Sequence, residues 1–400
     1  MTAIPTKNGS QNAAKAAKAD EFYTQWADIE REMNAYLEFN RDVFRDKVVL
    51  LPCDDPEWSN FTKFFALHFT DLGLRTLIST SYAPDSNPAK ANYHPTLFEI
   101  NSPHFDPTKT HTNGKLLTLH REDINGDGVV DIDDLRWRYL DGDGDFRSAE
   151  VSAQRDEADI IITNPPFSLF RNFMTWLVGG NKPFSIIGNS NAVTYVETFP
   201  LIKNNQLWKG ATANSTDMVF AVPKGAPIKE ADRLKAERLG YPSSGDYDFT
   251  RLGNSCWFTN IDHGRRHKPL QLMTMAENIK FSRHKDVRGL GYRRYCNFAE
   301  AIEVPYVDAI PSDFNGLMGV PITYLDKHNP DQFEIVAHAD DMEAMRQIGV
   351  EPLGADFVGK YKEQGGTGSN SPGHRKLGLT APRYYVPFKR ILIRRRTGAS

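Results

Sequence analysis

The sequence predicts an α/β fold: a doubly wound, Rossmann-like sheet, mostly parallel, followed by a separate C-terminal part. Three observations carry this. Short β-branched runs alternate with amphipathic helical patterns from Lys47 to Ile261. One run, Asp159-Ile160-Ile161-Ile162-Thr163, has the uniform apolar character of a strand buried on both faces, and it stops at Asn164-Pro165-Pro166. Beyond Asp262 the chain turns to basic clusters and glycine-punctuated strands.

Met1 to Ala19 reads as a polar tail, so the core is expected over 20–262. Trp26, Ile29, Met33, Tyr36 and Leu37 fall at helical spacing, with carboxylates expected on the opposite face. Lys47 to Leu51 is the first strand. Its closing turn, Pro52-Cys53-Asp54-Asp55-Pro56, lacks glycine but can present N–H groups and a carboxylate to a ligand. An aromatic helix follows, carrying Trp58, Phe61, Phe64, Phe65, Leu67 and Phe69. Arg75 to Tyr82 is a second strand that ends in Ser and Thr, where nucleotide folds usually have an acid. Further strands are expected at Thr96 to Ile100 and Leu116 to Leu119. After the central strand, Ser168 is placed to cap a helix whose buried face is Leu169, Phe170, Phe173, Met174, Trp176 and Leu177. Phe184 to Asn189, Met218 to Val222 and Cys256 to Ile261 complete the strand set, with a helix at Lys229 to Leu239. Downstream, Gly316 to Tyr324 and Phe388 to Arg396 read as strands, and Gly365 to Gly373 as a loop.

Composition narrows the function classes. The chain has 400 residues, 40% hydrophobic, with a net charge of −3, so no overall basicity announces a nucleic-acid partner. The distribution says more: acids crowd Glu122 to Asp159, while cations gather at His263 to Lys268, Arg283 to Arg294 and Lys389 to Arg396. Three cysteines without CxxC spacing argue against a disulfide framework or a cysteine zinc site and fit a reducing cytoplasm. No apolar run is long enough to span a bilayer, and the N-terminus lacks the apolar segment of a signal peptide.

Asn164-Pro165-Pro166-Phe167 has a specific chemical use. The exocyclic amino nitrogen of a purine is a poor nucleophile because its lone pair is delocalised into the ring. The Asn164 amide oxygen and the Pro165 carbonyl can each accept one amino proton, drawing the nitrogen toward tetrahedral geometry. Pro165 and Pro166 fix φ and add no competing donor, and Phe167 offers a face for the base.

Two acidic stretches precede the central strand. Asp123-Ile124-Asn125-Gly126-Asp127-Gly128-Val129-Val130-Asp131-Ile132-Asp133-Asp134 has calcium-loop spacing, with Asp123, Asn125, Asp127, Asp131 and Asp134 as ligands; the twelfth place is Asp rather than the longer Glu. A plain acidic turn is the other reading. Asp141-Gly142-Asp143-Gly144-Asp145-Phe146 repeats the look of that spacing, but Phe146 stands where glycine is required.

Taken in order, these segments resemble the adenine-specific DNA methyltransferases of the EcoRI modification type. The resemblance runs through Asp-Glu-Phe-Tyr-Thr-Gln at 20–25, Cys-Asp-Asp-Pro at 53–56, Gly-Asp-Phe-Arg-Ser at 144–148 and Thr-Asn-Pro-Pro-Phe-Ser-Leu-Phe at 163–170. It continues through Trp-Phe-Thr-Asn at 257–260, Ile-Pro-Ser-Asp-Phe-Asn-Gly at 310–316 and Met-Gly-Val-Pro-Ile-Thr at 318–323. The acidic insertion near 120–143 and the loop near 365 depart from it. The resemblance implies methyl transfer from S-adenosyl-L-methionine to N6 of an adenine flipped out of duplex DNA, with Asn164, Pro165, Pro166 and Phe167 catalytic. It implies cofactor contacts from Phe22, Tyr23, Thr24, Pro52, Cys53, Asp54, Asp145 and Phe146. Asp145 would accept the cofactor's adenine amino proton, and Phe146 would pack on that ring. It also implies a last strand antiparallel to the rest and paired with its predecessor, DNA recognition by 263–400, and a possible cognate restriction endonuclease. Arg265, Arg266, Arg283, Arg293 and Arg294 are base-reading candidates because arginine suits guanine. Two other readings compete: an amino methyltransferase acting on RNA or a protein glutamine, and a catalytically silent DNA-binding or calcium-dependent interaction protein.

Overall fold

The structure is a computed structural model that describes residues 22–54, 59–86, 94–95, 97–212, 218–367 and 370–396. The expected tail, together with Asp55, Pro56 and Trp58, lies outside these residues. The chain divides into two compact units, one formed by 1–192 with 209–264 and the other by 193–208 with 265–400.

The first unit is built on a mixed sheet. Its strands are β1 (Tyr23–Thr24), β2 (Val48–Pro52), β3 (Thr76–Ser81), β4 (Lys115–His120), β5 (Arg136–Tyr139), β6 (Ile160–Thr163), β7 (Phe184–Asn189), β8 (Trp208–Lys209), β9 (Val219–Pro223), β10 (Tyr247–Arg251) and β11 (Ser255–Thr259). The main sheet has the order β5-β4-β3-β2-β6-β7-β11-β8. Its middle is parallel, β2 pairing with β3 and β6, and β6 with β7. On one side β4 and β5 are antiparallel, and on the other β11 runs antiparallel to β7. The residues explain the difference. Ile160, Ile161 and Ile162 are buried on both faces, whereas β5 alternates exposed Arg136 and Arg138 with buried Trp137 and Tyr139, as an antiparallel edge covered on one face does.

Several expectations are corrected. The strand at Met218 to Val222 does not join the main sheet as the partner of β11. As β9 it forms a separate antiparallel sheet between β1 and β10. The segment expected as a strand at Thr96 to Ile100 is a helical turn at Leu97–Ile100, with Thr96 outside the described residues. Its Glu99 is buried and satisfied, pairing with Lys115 at 2.8 Å and accepting from Thr110 and Tyr139 hydroxyls, which outweighs the strand propensity of the flanking residues.

Helix α1 (Trp26–Phe39) buries Ile29, Met33 and Tyr36 as its spacing predicts. Asp28 and Glu32 are buried as well, against expectation. Glu32 earns its place by accepting from the Tyr36 hydroxyl, the Ala211 N–H and the Thr212 N–H, each at 2.8 Å. Burial pushes the Asp28 carboxyl up to about 6, although Arg31 pulls the other way. Helix α2 (Asn60–Leu67), capped by Ser59, buries Phe61, Phe64 and Phe65 but leaves Leu67 62% exposed. Helix α3 (Phe170–Gly180) buries Phe170, Phe173, Met174, Trp176 and Leu177. Ser168 does not cap it: Phe167–Leu169 form a 3₁₀ turn and Leu169 stands at the N-cap. Gly188 lets Phe170 pack directly on β7, since a Cβ there would lie 2.2 Å from the ring.

The second unit carries a five-stranded sheet of β12 (Arg293–Tyr295), β13 (Phe298–Glu303), β14 (Leu317–Pro321), β15 (Phe333–His338) and β16 (Arg390–Arg395), in the order β12-β13-β14-β16-β15. The strand expected to run to Tyr324 stops at Pro321, and a 3₁₀ turn follows. Glu303 and Arg390 form a buried ion pair at 2.6 Å, and the Tyr295 hydroxyl donates to the same carboxylate. Among the described residues no helix is long and apolar enough to cross a membrane.

Candidate active site

The carboxyl ends of β2, β3 and β6 meet in one polar cluster. The Thr163 hydroxyl, at the end of β6, donates to Asp54 Oδ2 at 2.5 Å and to the Pro52 carbonyl. The Ser59 hydroxyl donates to Asp54 Oδ1 at 2.7 Å, and the Asp54 N–H donates to the Thr80 carbonyl at 3.0 Å. Asp54 is therefore turned inward and joins three strand ends, where the sequence suggested a carboxylate presented to a ligand. Cys53 explains how the turn manages without glycine: it takes a left-handed conformation itself, φ +77°. Burial pushes its thiol up, and the carboxylates of Asp54 and Asp145 add to this, so it stays a neutral thiol.

Beside this cluster three backbones converge. Gly144, at φ +84°, lies against the Ser81 carbonyl so closely that a Cβ would stand 2.2 Å from its oxygen, and a Cβ on Gly114 would stand 2.7 Å from the Gly144 Cα. This approach sets Asp145 next to Tyr82. Burial, with Cys53 and Asp145 nearby, pushes the Tyr82 phenol well above its ordinary range, so it remains a donor. Burial would raise Asp145, but Arg147 outweighs it: the guanidinium reaches both oxygens, Nη2 to Oδ2 at 2.5 Å and Nε to Oδ1 at 2.9 Å, and holds the carboxyl below its usual range. Phe146 points the other way. It is fully buried, edge-on to Phe173 and Trp176 at 5.0 and 5.7 Å, anchoring the turn to α3.

Asn164 follows β6 directly. Its Nδ2 donates to the Phe22 carbonyl at 2.5 Å, while its Oδ1 is buried without a hydrogen-bond partner. Buried carbonyl oxygens are rarely left in that state. Phe167 stacks on Phe22 with centroids 5.5 Å apart and 23° between planes, and Phe220 of β9 meets both rings edge-on. Tyr23 and Thr24 continue from Phe22 as β1, and the Thr24 carbonyl accepts from Asn60 at 2.8 Å. The hydroxyls of Thr24 and Thr80 are also buried without partners. Phe220, Tyr82, Thr80 and Thr163 were not among the expected site residues. They lie inside or just after strands, where their sequence signal is that of packing.

Other candidates are not gathered here. Among the described residues no group of three or more His, Cys, Asp or Glu side chains is placed to hold a metal ion. In the acidic loop, Asp123 accepts from Gly126 and Gly128, Asn125 from Asp127, Asp127 from Val129, and Asp131 from Asp133. Asp134 accepts from Ile124, Asn125 and Asp131. In this structure the loop's side chains hold its own backbone. Of the arginines, Arg266 is buried over the Trp208 ring at 3.5 Å and bonded to Asn205, so packing claims it. Arg283 pairs with Asp308 at 2.9 Å, Arg293 donates to the Ala381 carbonyl and Arg294 to that of Ala299. Arg265 lines a hollow of about 370 Å³ with Lys268 and Lys327.

The family described as adenine-specific methyltransferase EcoRI matches residues 10–396. The type II methyltransferase M.EcoRI of Escherichia coli is 39% identical over 81% of this chain and 87% of its own. M.MpnI of Mycoplasma pneumoniae is 32% identical over 81% of this chain and 84% of its own. No solved structure matches. A match over nearly the whole chain, with the Asn164 turn at the carboxyl end of a central parallel strand, places this protein in the EcoRI family of adenine-specific methyltransferases.

Proposed function

We propose that the chain methylates N6 of an adenine flipped out of duplex DNA, using S-adenosyl-L-methionine. The observation that carries this reading is the buried, unpartnered Asn164 Oδ1 beside the Pro165 carbonyl. These oxygens accept the two amino protons and aim the nitrogen's lone pair. Pro165 and Pro166 keep the carbonyl in place, and the base stacks on the Phe167 face away from Phe22. No base is needed beforehand, because the proton becomes acidic only after the nitrogen is alkylated.

The residues present fit the cofactor: the unpartnered hydroxyl of Thr80 stands near the carboxyl end of β3, where α/β sheets hold ligands, and Thr24 on β1 offers a second unpartnered hydroxyl. When bound, the cofactor supplies an electrophilic methyl on a sulfonium. Phe22, Tyr23 and Thr24 would hold its methionine end, with Pro52, Cys53 and Asp54 forming the turn beneath. Asp145 would accept from its adenine amino group while Phe146 keeps the Asp145 turn anchored. In this reading the sheet is the doubly wound cofactor-binding core, its arrangement completed by antiparallel edges, and 263–400 is the target-recognition part. Extruding the adenine costs about a few kcal/mol. Phosphate contacts from Arg265, Lys268 and Lys327 offset it and make binding salt-sensitive. The protein would act in the cytoplasm as the modification half of a restriction-modification pair, with a cognate endonuclease as partner.

The test offers tritiated cofactor with duplex DNA, RNA and protein extract. Label in DNA, mapped as N6-methyladenine in the DNA of an expressing host, supports the reading, whereas label only in RNA or protein rejects it. For calcium, the place to look is the loop at 123–134: a calcium-dependent rise in Tm abolished by Asp123→Ala and Asp127→Ala would establish binding, and no shift would leave a self-bonded turn.

A further inference from the structure

The Asn164 amide has two chemically different ends, and the fold has fixed which one faces where. At 2.5 Å from the Phe22 carbonyl only the NH₂ end is tolerable, since an oxygen there would set two lone-pair groups against each other. The oxygen end is thereby sent to the buried position where it has no partner. The carbonyl that imposes this is not on a loose loop tip. The Phe22 ring is stacked on Phe167 and edge-on to Phe220. The next two residues pair with Ala221 and Phe220 of β9, and Asn60 and Gln25 hold the carbonyls of Thr24 and Tyr23.

We infer that the Phe22 main-chain carbonyl is a positioning group that makes position 164 accept an amide and reject a carboxylate. The inference rests on the reading of Asn164 Oδ1 as an acceptor of an amino proton. Asp and Asn have nearly the same shape, so packing cannot tell them apart. A carboxylate, however, has two acceptors and no donor. One of its oxygens must face the Phe22 carbonyl in a partly buried place, which is repulsive and strips part of the charge's solvation. The side chain then rotates away, and the second oxygen leaves the line on which an amino proton would arrive. Phe22 touches neither the reacting nitrogen nor the methyl group in this scheme; it acts through Asn164.

The experiment compares Asn164→Asp with Asn164→Ala in the full chain, measuring kcat and KM for methyl transfer to unmethylated duplex DNA and the Kd of S-adenosyl-L-methionine. Both variants are expected to lose about 100-fold or more in kcat, with KM for DNA and cofactor Kd within about threefold of the parent. Phe22→Ala frees the carbonyl and should narrow the Asn-to-Asp gap in kcat at 164 by about tenfold. An Asp variant as active as the parent beside an inactive Ala variant overturns the positioning role and leaves the acceptor reading standing. An active Ala variant overturns the acceptor reading itself. An inactive Asp variant whose deficit is unchanged by Phe22→Ala also overturns the inference, because the loss would then belong to charge alone.

Discussion

Two polar segments of the first unit answer the same hydrogen-bonding question in opposite ways. In the loop at 123–134, Asp123, Asn125, Asp127, Asp131 and Asp134 each accept from the loop's own N–H groups. At the ends of β2, β3 and β6 and on β1, by contrast, Asn164 Oδ1, Thr80 Oγ1 and Thr24 Oγ1 are buried with no partner, and Cys53 holds a strained left-handed backbone. Satisfied polar groups stabilise a fold, whereas unsatisfied ones are retained where something else will use them. Substitutions should therefore separate cleanly: activity is lost at the strand ends, and stability in the loop.

The largest effect is expected for Asn164→Ala. It should lower kcat by about 100- to 1,000-fold, equivalent to roughly 3–4 kcal/mol of transition-state stabilisation, while Tm and cofactor affinity barely move. Wild-type turnover would remove the distinction between the two segments. Second comes Asp28, a buried carboxylate whose partners, the Arg31 guanidinium and the Val219 N–H, do not offset its burial. Its carboxyl is pushed up to about 6, so folding favours the protonated form, and this group's contribution to stability is fully present below the unfolded carboxylate value and lost as pH rises through about 6. Asp28→Asn should thus stabilise at pH 8 by about 2–3 kcal/mol, the gain vanishing below pH 4 in urea titrations.

Asp134 has the opposite sign. Burial would raise it, but the N–H groups of Ile124, Asp131 and Asn125 hold it below its ordinary value. Its stabilisation is present above the unfolded carboxylate range and disappears as pH falls through the folded value. Asp134→Ala should lower Tm at pH 7 and leave kcat unchanged, with the Tm difference closing in acid. The smallest effect concerns Cys53: glycine removes the strain at φ +77°, so Cys53→Gly should add about 1 kcal/mol of stability and preserve turnover. Loss of turnover would mean that the side chain itself is used.

The central strand and its helix were legible because both signals were local and redundant. The run Ile160 to Ile162 has one explanation, a strand covered on both faces, and the spacing of Phe170, Phe173, Met174 and Leu177 has one helical face. Pairing partners were less so. Nothing in Met218 to Val222 says which sheet it joins, because β1 and β10, which flank β9, are short or weakly apolar. The burial of Glu32 was equally hidden, since its partners at 211–212 lie about 180 residues away in sequence. In the site, Asn164 and its prolines were readable as chemistry. The Phe22 carbonyl was not, because a main-chain group has no sequence signature.

The crossing of Gly114 and Gly144 bears on how this chain tolerates change. Gly114 donates to Gly142 and accepts from Leu140, while Ala83 donates to Asp143, so the excursion between β4 and β5 is fastened at its two feet. Beyond β4, which pairs with β3, the hairpin tip at 121–129 is exposed, while Val130 and Leu135 return to the core. The exposed part of the acidic loop can lengthen or shorten without retuning the pocket, which makes this hairpin tip the natural position for grafting a foreign domain or a fluorescent reporter.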